Sequence, residues 1–485
     1  MEYPLFEVTG LGGGMLIAIV AIVHVVIAQF AVGAGIYMAI THTVALRRND
    51  QLLLRYLKDH AQFVVLLSFV LGALTGVGIW VTIGLVSPAA TSRLIHNFVW
   101  GWAIEWCFFA IEIAAGYAYY YGWGRLSPRA HAATAWIYGI AAFMSLVVIN
   151  GILCFMLTPG RWLGLTAETG GGAPLNPPLG FWLGFFNETY WPSLILRTIS
   201  CLSLAAIFIA VIVNLYGNYT REERQRIINH GAWFMAPLVL MVPVGWWYFA
   251  QLPPTSLEFL RGGAVAMMMF LAFGVVVSVA IGLYAYFGLL RANRYVNLET
   301  SLLLLGCAFV ATGSAEFVRE GVRKPYVIYG YLYSNGIPAL GEWPERINRE
   351  GILAHAPFVL PPGMTPEEAR ALPLPEQGRF VFQAECRMCH ELRGTNAIRS
   401  LISGKSRELL MMQVKELEQW GYMPPFHGTE GELKALIEYL VELDRGSDYQ
   451  PPPPEYAHLP VSQILADRAE ALAAELAILG REVQR

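Results

Sequence analysis

In residues 384–392, AECRMCHEL, two cysteines stand three positions apart and a histidine follows the second directly. Thiols at that spacing can form thioethers with the two vinyl groups of a haem. The adjoining imidazole then supplies an axial nitrogen to the iron, so Cys386, Cys389 and His390 read as one covalent haem attachment site. The other use of such a pair is half of a zinc site, which needs a second Cys or His pair at ligand spacing, and none is seen. Further on, GYMPPF sets Met423 ahead of two prolines in a stiff loop, where its thioether can be the second axial ligand; the plain alternative is an exposed loop methionine. His/Met ligation raises the reduction potential relative to bis-nitrogen ligation, which suits exchange of electrons with soluble carriers.

A second set of reactive residues lies inside long apolar runs, where an ionisable side chain is costly unless it serves a cofactor or a partner. Glu105 and Glu112, in WAIEWCFFAIEIAAGY, are seven positions apart, two helical turns, and so share a face. They suggest a proton path or a cation site, the alternative being ion-pair partners for a buried arginine such as Arg197. His24, in the middle of IAIVAIVHVVIAQFAVGAGIYMAI, is either a hydrogen-bonded core residue or, given the tethered haem, the axial ligand of an intramembrane one. Cys107, Cys154, Cys201 and Cys307 fall in apolar stretches and read as packing.

The elements that must position these residues follow from composition. Of 485 residues, 55% are apolar and 14% charged, which is the signature of an integral membrane protein with a soluble appendage; a net charge of −3 gives no handle for nucleic acid. Runs long enough to span the hydrocarbon recur at Met15–Leu46, Ala61–Val86, Phe98–Tyr121, Ala132–Leu157, Pro192–Tyr216, Ala232–Ala250, Ala264–Leu290 and Leu302–Phe317. Unbroken apolar runs of this length exclude a β-barrel, so the fold class is all-α, a polytopic bundle of about eight helices in contact with lipid. The opening MEYPLFEVTGLGGG lacks a basic region, so the first run is expected to remain as a span and not to be cleaved.

Basic residues occupy alternate loops: Arg47, Arg48, Arg55 and Lys58; Arg125 and Arg129; Arg221, Arg224 and Arg226; Arg291 and Arg294. The positive-inside rule makes those loops cytoplasmic, so eight crossings put both termini outside. In bacteria c-type haem is attached outside the cytoplasmic membrane, which agrees with that placement. The expected organisation is a membrane domain at 1–330, a Pro-rich extended spacer at 331–375, a haem-bearing domain at 376–445, and a Pro-rich segment with an amphipathic helix at 446–485, read as a docking helix over Val461–Arg485.

From Glu376 to Leu443 the chain resembles a compact class I cytochrome c, with an N-terminal helix, the attachment box, the Met-Pro loop and a closing helix. The membrane part resembles subunit I of cytochrome bd oxidases. The shared features are His24 in the first helix, LGALTGVGIW in the second, WAIEW…IE in the third followed by GWGRLSPRAH, and EFVREGVRKPY at 316–326.

That resemblance implies haem b, haem d or both. His24 would ligate the haem where oxygen binds, Glu105 would sit beside its iron, Glu112 would lie on the proton route from the cytoplasm, and Arg323 would stand near the haem propionates. Arg197 takes the place of the family's fifth-helix histidine. Met267, Met268 and Met269 are offered as its methionine partner, with Met269 the candidate chosen, and Glu316 is a substitute for another missing ligand. The family's long quinol-binding loop is reduced to QLPPTSLEFLRGG, and its ninth helix is replaced by the cytochrome.

The expected function is a bd-like terminal oxidase of the bacterial inner membrane. It would take electrons from a soluble c-type cytochrome or other periplasmic carrier through its own c haem, and work with a second bd-like membrane subunit. The alternatives are a quinol:cytochrome c oxidoreductase and a haem-bearing relay or anchor of a larger respiratory complex.

Overall fold

The computed structural model describes residues 6, 10–168, 178–216, 218–394, 396–469, 471, 473 and 475–477. Among them, eight helices are long and apolar enough to cross a membrane. They are α1 Gly13–Arg48, α2 Gln51–Val86, α3 Val99–Tyr121, α4 Pro128–Leu157, α5 Tyr190–Leu215, α6 Arg221–Ala250, α7 Val265–Arg291 and α8 Leu298–Gly321.

Their ends are written in local chemistry. α1 stops at Asn49, whose φ of 51° closes the helix, and Asp50 then caps α2 by accepting from the Leu53 amide. Ser127 caps α4 ahead of Pro128, and Thr220 with Glu223 forms a capping box at the start of α6.

The bundle closes where small residues let backbones meet, because apolar side chains gain little by leaving lipid for one another. A Cβ on Gly33 of α1 would fall on the Cys201 carbonyl of α5. A Cβ on Gly139 of α4 would come 2.8 Å from the Gly35 carbonyl of α1. α1 is therefore the central post, packed against α2, α4 and α5.

After α8 the chain forms a small hairpin, β1 Tyr326–Ile328 with β2 Leu332–Tyr333, and then the C-terminal domain. That domain contains α9 Trp343–Glu350, α10 Leu374–Glu385, α11 Arg407–Lys415 and α12 Glu430–Arg445. α10 and α12 cross in close contact, since a Cβ on Gly378 would meet the Ala435 carbonyl.

The expectation of an extended spacer over 331–375 is corrected here. Ile337, Ile347, Ile352, Leu353, Val359 and Leu360 share one apolar core with Phe380, Val381, Leu436 and Ile437. The prolines mislead because Pro344, Pro357 and Pro366 occupy first turns of helices, where the missing N–H costs nothing. The same core takes in Tyr456, Val461 and Ile464. The expected C-terminal helix is seen as Val461–Asp467, and residues 470, 472, 474 and 478–485 of that expectation lie outside the described residues.

Candidate haem sites

α10 ends at Cys386, and the next turn folds back so that the amides of Cys389 and His390 both donate to the Cys386 carbonyl, at 3.1 and 3.0 Å. Both thiols are free and half-buried. Burial pushes the Cys386 thiol above its usual range and His390 below that of an ordinary imidazole, so His390 is held in the neutral form that binds iron. His390 Nδ1 faces the Asn396 carbonyl at 3.4 Å, leaving Nε2 as the ligand atom. Two free thiols and an oriented imidazole in one turn fit a covalent haem. Met423 is half-buried in the loop that follows Gly421, itself at φ 67°.

In the membrane, His24 is half-buried on α1, and its Nδ1 lies 3.0 Å from the Thr75 hydroxyl of α2. Thr75 donates to the carbonyls of Leu71 and Gly72, at 2.7 and 3.1 Å, so it holds the ring from a fixed point. Beside it a Cβ on Gly76 would press to 3.2 Å from His24 Cε1. Nε2 is left for a metal, an arrangement that fits an axial ligand. Glu105 is half-buried and accepts from Ser145 of α4 at 2.9 Å; Glu112, 6% exposed, follows two turns along the same helix.

Arg197 does not pair with either glutamate of α3. It lies 3.3 Å from Glu316 Oε1, while Arg319 holds Glu316 Oε2 at 2.8 Å. Glu316 thus sets its two oxygens against two nearly buried guanidiniums, and withdrawing them would strand buried charge. Met269 is 53% exposed on the surface of α7, whereas Met267 packs inward against Gly321 and the Val318–Val322 cluster. The three methionines occupy consecutive positions, and only the helix rotation decides which faces in.

Arg323 is 3% exposed and donates through Nη2 to both oxygens of Glu320 at 2.6 Å. Its Nε and Nη1 are buried without a protein partner among the described residues, which fits an anionic carboxylate such as a haem propionate.

Two features lay outside the sequence reading. Arg387, between the two cysteines of the attachment box, donates through Nη1 to Phe6 O at 3.0 Å and through Nη2 to Val86 O at 2.7 Å, clamping the box to the C-terminal end of α2. Met388 and Glu391 face Gly14 and Gly12 at the start of α1, and Arg93 stacks on Trp343 with 4.8 Å between guanidinium carbon and ring centroid. At the opposite end of the bundle, His42, His60, His131 and His230 are set among Tyr37, Tyr56 and Tyr119. Their only sequence signal is position: each stands within a few residues of a basic loop.

Comparison with known proteins bears on both halves. Residues 15–248 match the family model for cytochrome bd terminal oxidase subunit I, and residues 373–440 match that for cytochrome C oxidase, cbb3-type, subunit III. The first match ends before the 316–326 stretch. The solved bd oxidase of Geobacillus thermodenitrificans superposes with a TM-score of 0.55 at 16% identity, over 66% of this chain and 88% of that one, a likeness of fold. No curated protein matches.

Fold and sites together define a class: an integral membrane, haem-containing electron-transfer protein of the oxidoreductase kind. Within that class the chain joins a bd subunit I-like bundle to a c-type cytochrome domain in one polypeptide.

Proposed function

We propose that this chain is the catalytic subunit of a bd-like terminal oxidase fed by a one-electron carrier through its own c haem. One observation carries the reading, the seating of the attachment box on the bundle through Arg387. Gly14, which faces the box, precedes His24 by ten residues of continuous helix, about 15 Å at 1.5 Å per residue. A cytochrome held at that height is built to serve the ligand site below it.

Cys386 and Cys389 would hold the c haem, with His390 and Met423 as axial ligands; His24 would hold a b- or d-type haem, with Arg323 on its propionates. When bound, the haems supply one-electron transfer and an iron at which dioxygen is reduced. The protein's own part is to orient and to move protons: Thr75 fixes the His24 ring, Ser145 fixes Glu105, and Glu112 passes protons towards Glu105. A second membrane subunit is expected against the exposed faces of the bundle. The bacterial inner membrane is the proposed location, with the cytochrome in the periplasm.

The test is a reduced-minus-oxidised spectrum of the purified complex with ascorbate and a mediator, followed by carbon monoxide. A CO-shifted band beside the c signal is expected. A c signal with no CO response would reject the oxidase and favour a relay or quinol dehydrogenase.

A further inference from the structure

The inward face of α2 carries polar groups that neither the haem ligands nor Glu105 explain. Tyr56 and His60 are four apart and line one face, and Ser68 is buried two turns beyond His60 on the same span. His60 is fully buried; its Nδ1 is 3.1 Å from the Tyr56 hydroxyl, and its Nε2 has no protein partner among the described residues. Tyr37 of α1, 5.9 Å away between ring centroids, is equally buried, and its hydroxyl has only Thr41 beside it. Two turns further in, Ser68 Oγ, which has only the Tyr138 hydroxyl near it, and Gln29 Oε1 bring two more buried polar atoms to the same two helices. Polar atoms in such surroundings are expensive unless hydrated, so four of them on facing turns describe a column that water would line.

Both ends of this column lead somewhere. Towards the basic loops, Tyr56 packs on Tyr219 with 6.4 Å between centroids, and the Tyr219 hydroxyl donates at 2.5 Å to Asp59, an exposed residue lining a surface pocket with Lys58, Gln62 and Arg125. Towards the interior, Ser68 sits in a π-helical stretch, Val65–Leu71, a departure from α-helical geometry that often marks a functional segment. Phe69 of that stretch fills the space over Gly116 of α3 and lies 5.9 Å from the ring of Tyr138. Tyr138, fully buried on α4, stands beside Ser68 and within electrostatic reach of Glu112.

We propose that His60, Tyr37 and Ser68 line a hydrated proton lead running from Asp59 at the Arg/Lys-rich face to Glu112. The proposal deepens the reading of Glu112 as a proton-transfer acid and rests on it. Transfer through His60 leaves no net charge: Nδ1 takes a proton from the Tyr56 hydroxyl as Nε2 releases one inward, and Tyr56 is reprotonated from the Asp59 side. In turnover one proton would follow each electron delivered by the external carrier, so that dioxygen leaves as water.

Tyr37→Phe and Ser68→Ala each delete one oxygen and keep the packing, so the double variant tests the lead without threatening the fold. In the full complex, the infrared carboxyl signal of Glu112, assigned by its loss in Glu112→Gln, reports how fast that group exchanges on transfer to D2O. The double variant is expected to slow this exchange by roughly tenfold or more with unchanged haem content. Exchange at the parent rate overturns the proposal, as does a Glu112 that never shows a protonated band. Oxygen uptake measured in parallel separates the two claims. Slowed exchange in a protein that consumes no oxygen keeps the lead and rejects the oxidase, while parent-rate exchange with oxygen uptake does the reverse.

Discussion

The guanidinium of Arg387 donates to the Val86 carbonyl at 2.7 Å, joining the haem attachment box to the C-terminal end of the second span. A charged donor on a neutral carbonyl, 8% exposed, is worth about 1.5–3 kcal/mol. Arg387→Ala should leave both haem types bound and slow reduction of the membrane haem by the c haem severalfold or more, read by stopped-flow. Arg387→Lys, able to reach one carbonyl and not two, should fall between. Parent-rate transfer in Arg387→Ala would remove the clamp from the electron path.

The attachment site makes a separate demand. Cys389→Ala should abolish the covalent haem stain on denaturing gels while the eight spans still insert, because the bundle's apolar cores contain neither cysteine of the box. A stain of parent intensity would end the assignment.

His24 and Thr75 form a ligand and its support. His24→Ala should remove a non-covalent haem and any oxygen reduction. Thr75→Val, which keeps the shape and deletes the hydroxyl 3.0 Å from the ring, should weaken haem retention about 10- to 100-fold, as loss of an orienting partner does at metal-ligating histidines. Pyridine haemochrome analysis of purified protein reads both. Full haem content in His24→Ala would place the ligand elsewhere.

Glu432 holds the C-terminal domain together. Its carboxylate, 1% exposed, accepts from the amides of Ile352, Leu353 and Thr429 at 2.7, 3.1 and 3.1 Å. Glu432→Ala leaves three buried donors unmatched and should destabilise this domain by about 3–5 kcal/mol. The expected sign is early proteolysis between residues 337 and 360 of the full chain, while CO binding by the membrane haem is kept. Resistance equal to the parent would show that these amides find other partners.

Much of the molecule was legible because it depends on short stretches of chain. The eight spans follow from run length against bilayer thickness, the attachment box from three neighbouring residues, and the shared face of Glu105 and Glu112 from helical repeat alone. The prolines of 331–375 suggest a spacer, because proline describes only its own turn. Whether the Ile, Leu and Val between them find a core depends on α10 and α12, which come later in the chain.

What the tertiary structure alone decided is who meets whom. Arg197 and Glu316 are on different spans, His42 and Tyr119 are 77 positions apart, and Arg387 and Val86 are 301 apart. Local sequence determines that a helix forms and where it ends, through propensity, capping and transfer of apolar surface. It does not determine how far that helix is rotated about its axis. Rotation is settled by close backbone approaches such as Gly33 on Cys201, and it decides that Met267 faces in while Met269 faces out.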